Sequence, residues 1–458
     1  MFNTQSILQF ITPKLLLPYW ERLKRNPLAY RLARGAFWSL CGNLVSRVSA
    51  LCASILVARI LGNSGFGELG VIQSTVGMLG TIAGLGLGIT ATKYVAEFKL
   101  KDPARAGRII CLSRIVSWIA GGGMALVLLN FGPWLAANTL AAPHLGPYLK
   151  IGSVLLLLGT INGTQTGALS GFEAFKSMAR INLFSGLLAF PLTVGGAWWG
   201  GLEGSLYGLV ASQSCNTLLN LYTLRSETAK FQIPLSYRDA HSEHGILWSF
   251  SLPALGGGLF VAPVYWICNS IIVNSPGGYG QMGVFNAANQ WFTAFMFLPG
   301  VLSQAAIPVL SESLSLGDRS SSRNILSFYL KMNILVIAPI IFCGSLASPS
   351  IMAIYGPGFR DAWPTMVVAL LTAGLLAIQT PVGQIIAASG RMWLGTMMNA
   401  AWALCFIGLT AALVDWGALG LAWARLGAYL VHTVWVSGFA VILLKGMRRP
   451  HDSTDSRK

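Results

Sequence analysis

Five basic residues, Arg47, Arg59, Arg114, Lys331 and Arg425, sit in stretches that are otherwise almost wholly apolar, and no Asp or Glu accompanies them there. A charge at the bilayer centre costs at least about 2.5 kcal/mol on insertion scales, so it normally faces a polar cavity or reaches a headgroup. Guanidinium keeps its proton at any physiological pH and grips phosphate oxygens in pairs. A membrane cavity furnished with cations alone therefore suits an anionic ligand and repels lipophilic cations.

Arg47 is the foremost candidate, twelve residues into the apolar run 36–60 and close to its midpoint, with Asn43 and Ser46 nearby. Arg425 lies about two turns inside the last apolar run, and His432 follows seven residues later on the same helical face. Arg59 is at the far end of the first run, where an interfacial or capping contact competes with a cavity role. Arg114 and Lys331 lie within two turns of the ends of their runs, where their stems can snorkel to headgroups. Arg47, Arg425, Arg59, Asn43, His432 and Arg114 make up the candidate lining.

The elements that must carry these residues follow from composition. Of 458 residues, 54% are apolar and 10% charged, against roughly 25% charged in soluble domains, and the mean hydropathy is +0.62. A transmembrane helix needs about 20 apolar residues, and that window places spans at 36–60, 69–92, 109–131, 151–170, 181–200, 205–224, 246–273, 283–310, 325–347, 364–388, 394–414 and 418–444. The runs are continuous rather than alternating, which excludes a β-barrel. With a cytoplasmic N-terminus, the cytoplasmic segments hold 24 of the 31 Lys+Arg, and the opposite loops hold only Lys150 and Arg360. This positive-inside bias puts both termini in the cytoplasm. It also explains the net charge of +16 as topology and attraction to anionic membrane lipids, so nucleic acid is not an expected partner.

The chain is written twice. Gly65-Phe66-Gly67-Glu68-Leu69-Gly70-Val71 returns as Gly278-Tyr279-Gly280-Gln281-Met282-Gly283-Val284, an offset of 213. Glu97 and Arg108 return as Glu312 and Arg323 at 215, and Gln165, Ala168, Ser170 and Gly171 as Gln384, Ala387, Ser389 and Gly390 at 219. Trp199-Gly200 and Leu202 return as Trp416-Gly417 and Leu419 at 217. Four ordered matches imply duplication. The expected architecture is all-α: about 12 transmembrane helices in two six-helix lobes, 36–224 and 246–444, related by a pseudo-two-fold axis along the membrane normal, with a central cavity. Residues 1–35 are a basic interfacial segment, 225–245 the cytoplasmic inter-lobe linker and 445–458 a basic tail. The repeated glycines are expected to serve tight turns after spans one and seven.

Three further features bear on function. All seven cysteines fall inside spans without Cys-x-x-Cys spacing and read as packing residues. Tyr265, Trp266, Trp291, Phe292, Phe295 and Phe297 cluster on spans seven and eight, where packing competes with a glycan-lining or portal role. Pro253, Gly256-Gly257-Gly258 and Pro263 allow span seven to bend and act as a gate. No nucleotide fingerprint, zinc spacing or catalytic motif occurs, and no extramembrane segment is large enough for an ATPase. Neither enzymatic chemistry nor a cofactor is expected.

Arg34-Gly35-Ala36-Phe37-Trp38, Ala58-Arg59-Ile60-Leu61-Gly62 and the Gly65–Gly70 motif resemble the opening of bacterial polysaccharide-biosynthesis membrane proteins, the Wzx-type oligosaccharide flippases. Leu85-Gly86-Leu87-Gly88, Lys93-Tyr94-Val95-Ala96-Glu97 and Asp102-Pro103-Ala104-Arg105-Ala106 extend the likeness. These proteins belong to the multidrug/oligosaccharidyl-lipid/polysaccharide exporter superfamily. The resemblance implies alternating access, location in the bacterial inner membrane and an undecaprenyl-pyrophosphate-linked oligosaccharide as cargo for O-antigen or exopolysaccharide. It also implies a polysaccharide polymerase and a chain-length regulator as partners. Ser46-Arg47-Val48 further resembles the first helix of lipid II flippases, which implies a cavity role for Arg47. A multidrug or metabolite exporter of the same fold and a non-transporting scaffold of a polysaccharide-synthesis complex are the rival readings.

Overall fold

A computed structural model describes residues 27–256, 259–297, 299–300, 319–388 and 392–446. Most of the N-terminal segment and C-terminal tail, together with Glu312, Ser389 and Gly390 of the repeats, lie outside the described residues. The helices are α1 (Pro27–Ala83), α2 (Leu87–Phe98), α3 (Pro103–Asn138), α4 (Gly146–Gly171), α5 (Phe175–Lys230), α6 (Leu252–Gly256), α7 (Val261–Val273), α8 (Gly278–Phe295), α9 (Arg319–Tyr355), α10 (Trp363–Ala388), α11 (Met392–Ala412) and α12 (Gly417–Gly446). Eight of the described helical segments are long and apolar enough to cross a bilayer. Two of them hold two crossings each: 57 and 56 residues rise about 85 Å at 1.5 Å each, far beyond a hydrocarbon core of about 30 Å. α1 breaks at Gly62 (φ 69°, ψ −179°), and α5 at Gly200–Gly201. With these breaks the architecture is the expected all-α, multi-spanning fold of about twelve crossings in two lobes.

Lipid-facing positions follow the same plan. Trp134, Trp198, Trp199, Trp363 and Trp416 are exposed at one end of the bundle, and Tyr222, Tyr237, Trp248 and Trp393 at the end that carries the basic segments. Two such girdles mark the two interfaces of a bilayer, where amphipathic rings settle at headgroup level.

The duplication extends into backbone geometry. Gly201 has φ 56° and ψ −132°, and Gly417 has φ 56° and ψ −128°, a conformation that side chains disfavour. The structural offset is 216, one less than the Trp-Gly match in the sequence. Pro143–Leu145 and Pro357–Ala362 are likewise matching 3₁₀ turns that follow α3 and α9.

The repeated Gly65–Gly70 motif does more than turn the chain. The turns use Gly62 and Gly277, and the motif glycines lie within helices, where the two lobes cross. A Cβ at Gly67 would sit 1.9 Å from the Tyr279 carbonyl oxygen, and one at Gly283 would sit 1.9 Å from the Asn63 carbonyl oxygen. Small residues let helix backbones approach this closely inside a membrane. Around this crossing, the Tyr279 hydroxyl donates to the Leu140 carbonyl at 2.8 Å and the Asn274 amide to the Thr139 carbonyl at 2.8 Å. The Phe66 and Phe359 rings meet edge to face.

The linker is a docked strap rather than a free tether. α5 continues to Lys230, Ile233 is buried among α2, α4 and α5 side chains, and the Glu243 carboxylate is held by Arg105 at 3.1 Å and Arg108 at 3.1 Å. Glu243→Ala should lower stability by about 2 kcal/mol, because two charge-assisted bonds to half-exposed guanidiniums are lost; thermal unfolding of the purified chain measures it. Span seven is broken, as its composition suggested. A π-helical turn over Leu247–Ser251 leads into α6, and α7 starts only at Val261. Pro263 falls in the first turn of α7, where the missing N–H is not needed, whereas Pro253 follows directly on the π turn within one continuous helical run and removes a ladder bond there.

Candidate functional site between the lobes

A cavity of about 470 Å³ lies between the lobes. Its walls come from both crossings of α1 (Ala50, Ser54, Val57, Gln73), both crossings of α5 (Thr193, Ser205), α7 (Tyr265, Asn269) and α8 (Phe285, Asn286, Asn289, Gln290). None of the described residues lining it carries a charge; amides and hydroxyls supply its polarity. The Asn269 carbonyl oxygen and the Asn286 amide nitrogen are both buried and without a hydrogen-bond partner among the described residues. Neutral donors and acceptors on an otherwise apolar wall match the hydroxyls of a sugar better than an ion.

The charged candidates stand around this cavity instead of within it. Arg47 shares a helical face with Ala50 and Ser54 and is one turn below the first of them, at the rim facing the basic end. Its Nη1 donates to the Thr293 carbonyl at 3.2 Å, its Cζ lies 4.8 Å from the Phe297 ring centroid, and the side chain is exposed. It thus bridges the lobes at the edge of the α1–α8 seam. Arg425 is completely buried behind the opposite wall. Its Nη1 donates to Asn289 Oδ1 at 2.8 Å, and Phe292 and Phe285 lie 4.3 Å and 5.1 Å from its Cζ. With Asn289 Oδ1 turned to Arg425, the amide NH₂ of Asn289 is left for the cavity.

The other four are not brought into the cavity. Arg59 donates through Nε to the Ile354 carbonyl in the last turn of α9, a C-terminal cap made across the lobes. Asn43 accepts from Asn182 at 2.8 Å, tying α1 to α5. Arg114 lies 5.9 Å from the Tyr237 ring of the strap. His432 bonds Gln379, which also accepts from Thr433 at 2.9 Å. The candidate lining of Arg47, Arg425, Arg59, Asn43, His432 and Arg114 is therefore corrected to a wall with no charge among its described residues and two guanidiniums at its margins. The physical reason is helical phase: Arg59 and Arg114 point to other neighbours, and Arg425 is turned into its own lobe.

The wall amides were missed in the sequence, although Asn286, Asn289 and Gln290 recur at i, i+3 and i+4 on one face of span eight, the spacing that puts side chains side by side. The aromatic cluster has divided roles. Tyr265 faces the cavity, Trp266 donates to Thr75 at 2.9 Å across the lobes, and Phe292 and Phe297 are the faces on which the two arginines rest.

Two lobes around a polar cavity with no charge among its described lining residues, crossing a membrane about twelve times, have the fold of the multidrug/oligosaccharidyl-lipid/polysaccharide exporters. The fold itself matches the inward-facing conformation of a multidrug resistance MATE family transporter of the MOP superfamily, with a TM-score of 0.69 and 16% identity over 90% of this chain and 100% of that one. Residues 32–314 match the polysaccharide biosynthesis protein family, and the chain belongs to that family. Among curated proteins it is similar to the EPS I polysaccharide export inner membrane protein EpsE of Ralstonia nicotianae, 23% identical over 84% of this chain and 88% of that protein. It is also similar to the lipid III flippase of Escherichia coli, 25% identical over 61% of this chain and 67% of that protein. The chain is a multi-pass membrane protein of the polysaccharide biosynthesis family.

Proposed function

We propose that this chain is a flippase that moves a polyprenyl-pyrophosphate-linked oligosaccharide from the cytoplasmic to the outer leaflet for surface polysaccharide synthesis. The observation that carries the reading is the pairing of an uncharged, amide-rich cavity with an exposed arginine at its rim. The glycan occupies the cavity, where Asn269, Asn286, Asn289 and Gln290 exchange hydrogen bonds with sugar hydroxyls. The pyrophosphate meets Arg47 at the α1–α8 seam, and the prenyl tail stays in lipid outside it. Lobes 36–224 and 246–444 rock about the strap 225–245, and the basic end, with both termini, faces the cytoplasm. Similarity to an export protein and a lipid III flippase supports a glycolipid cargo. The uncharged wall gives no carboxylate to attract a cationic drug.

The test is reconstitution of the purified chain in liposomes with a polyprenyl-pyrophosphate oligosaccharide in the outer leaflet. The expected result is its transfer to the inner leaflet at a rate at least about tenfold above protein-free liposomes, as a binding cavity that lowers the flip barrier by about 1.4 kcal/mol or more requires. Equal rates with and without the protein refute the proposal.

A further inference from the structure

We propose that Arg425 is the centre of a small-anion site inside the second lobe, separate from the cargo path, that takes a halide such as chloride. The guanidinium is fully buried, and among the described residues no carboxylate lies within salt-bridge distance of it. Arginine cannot escape this position by losing its proton, as a buried lysine does. Nη1 is used by Asn289, and Phe285 and Phe292 lie close to the group. An aromatic ring attracts a cation through its face and offers no acceptor to the N–H groups along the guanidinium edge. Nε and Nη2 are both buried and have no hydrogen-bond partner among the described residues. These two form one side of the planar fork, the side that closes on a single anion with two parallel bonds.

The size of the ligand follows from the setting. Asn289 and Phe285, which line the central cavity, stand between that cavity and the guanidinium. A site walled off by these two side chains suits a monatomic ion rather than a lipid-borne pyrophosphate, whose tail would have to follow it through the wall. The ion also reaches the transport machinery through Asn289: it fixes the arginine whose Nη1 orients the Asn289 amide, so occupancy of the site shapes the cavity wall. The inference is independent of the cargo named above.

The test is thermal unfolding of the purified full-length chain, followed by tryptophan fluorescence in sodium chloride against sodium gluconate at equal ionic strength. Chloride should raise the midpoint by about 3 °C in a saturable manner, as expected for an ion that binds only the folded state and is supplied at about a hundred times its Kd. Arg425→Gln should remove the rise. Asn289→Asp, which places a carboxylate against the guanidinium and keeps the fold, should remove it as well, so the test survives a misfolded Arg425→Gln chain. Geranyl pyrophosphate should leave the chloride-dependent rise unchanged. Equal midpoints in chloride and gluconate, or a saturable rise retained in Asn289→Asp, overturn the proposal. Loss of the rise on adding geranyl pyrophosphate overturns it too, because the site would then belong to the cargo path.

Discussion

Gly283→Leu abolishes transport while the chain still inserts in the membrane. The substituted side chain would start from a Cβ only 1.9 Å from the Asn63 carbonyl oxygen and 2.8 Å from its carbon, and the opposing atoms are backbone, which cannot rotate away. Overpacking a core typically costs about 1–3 kcal/mol when side chains can give way; here the only relief is separation of the lobes. Each lobe keeps its own interior, because the collision is between them. A disulfide placed at Thr139→Cys and Asn274→Cys reports the contact, since the Asn274 amide reaches the Thr139 carbonyl at 2.8 Å. In the Gly283→Leu background its yield should fall at least about fivefold, the population shift that about 1 kcal/mol produces. An undiminished yield would show that the glycine crossing does not hold this end closed.

Arg47→Ala lowers surface glycan at least about tenfold and retains lipid-linked intermediate on the cytoplasmic face, in the range expected when a charge-assisted contact of about 1.5–3 kcal/mol is removed. Arg47 does two separable things. It ties α1 to the Thr293 carbonyl, and it offers a cation at the cavity rim. Arg47→Gln keeps a donor for Thr293 and removes the charge; it should resemble Arg47→Ala. Arg47→Lys keeps the charge without the fork and should retain about a third of the activity. Wild-type glycan levels in Arg47→Gln would leave Arg47 a tie between helices and nothing more.

Much of the fold was legible because lipid is a simple solvent. Twenty consecutive apolar residues have few alternatives to a crossing helix, so the spans and the duplication stood out. The interior was less legible for a reason of geometry. Whether Arg425 faces the cavity or its own lobe depends on Asn289, a residue 136 positions away, and no local pattern encodes that partner. Gly67 and Gly283 reveal the related limit: a glycine between two spans reads as a turn, and only the crossing of α1 and α8 shows that the missing side chains make room for another backbone. The break in span seven could be anticipated from its prolines and glycines, but the π-helical turn before it could not, since nothing in Leu247–Ser251 departs from ordinary helix composition.

The docked strap has a mechanical corollary. With Glu243 clasped by Arg105 and Arg108 on the first lobe, Phe250 set edge to face against Tyr94 and the Ser251 hydroxyl bonded to Thr90 at 2.7 Å, the covalent path between the lobes stays docked on the first lobe through Ser251. Rocking of the lobes would have to bend the chain beyond that residue, and a binder that splints the stretch into α7 should freeze the protein in whichever posture it was caught.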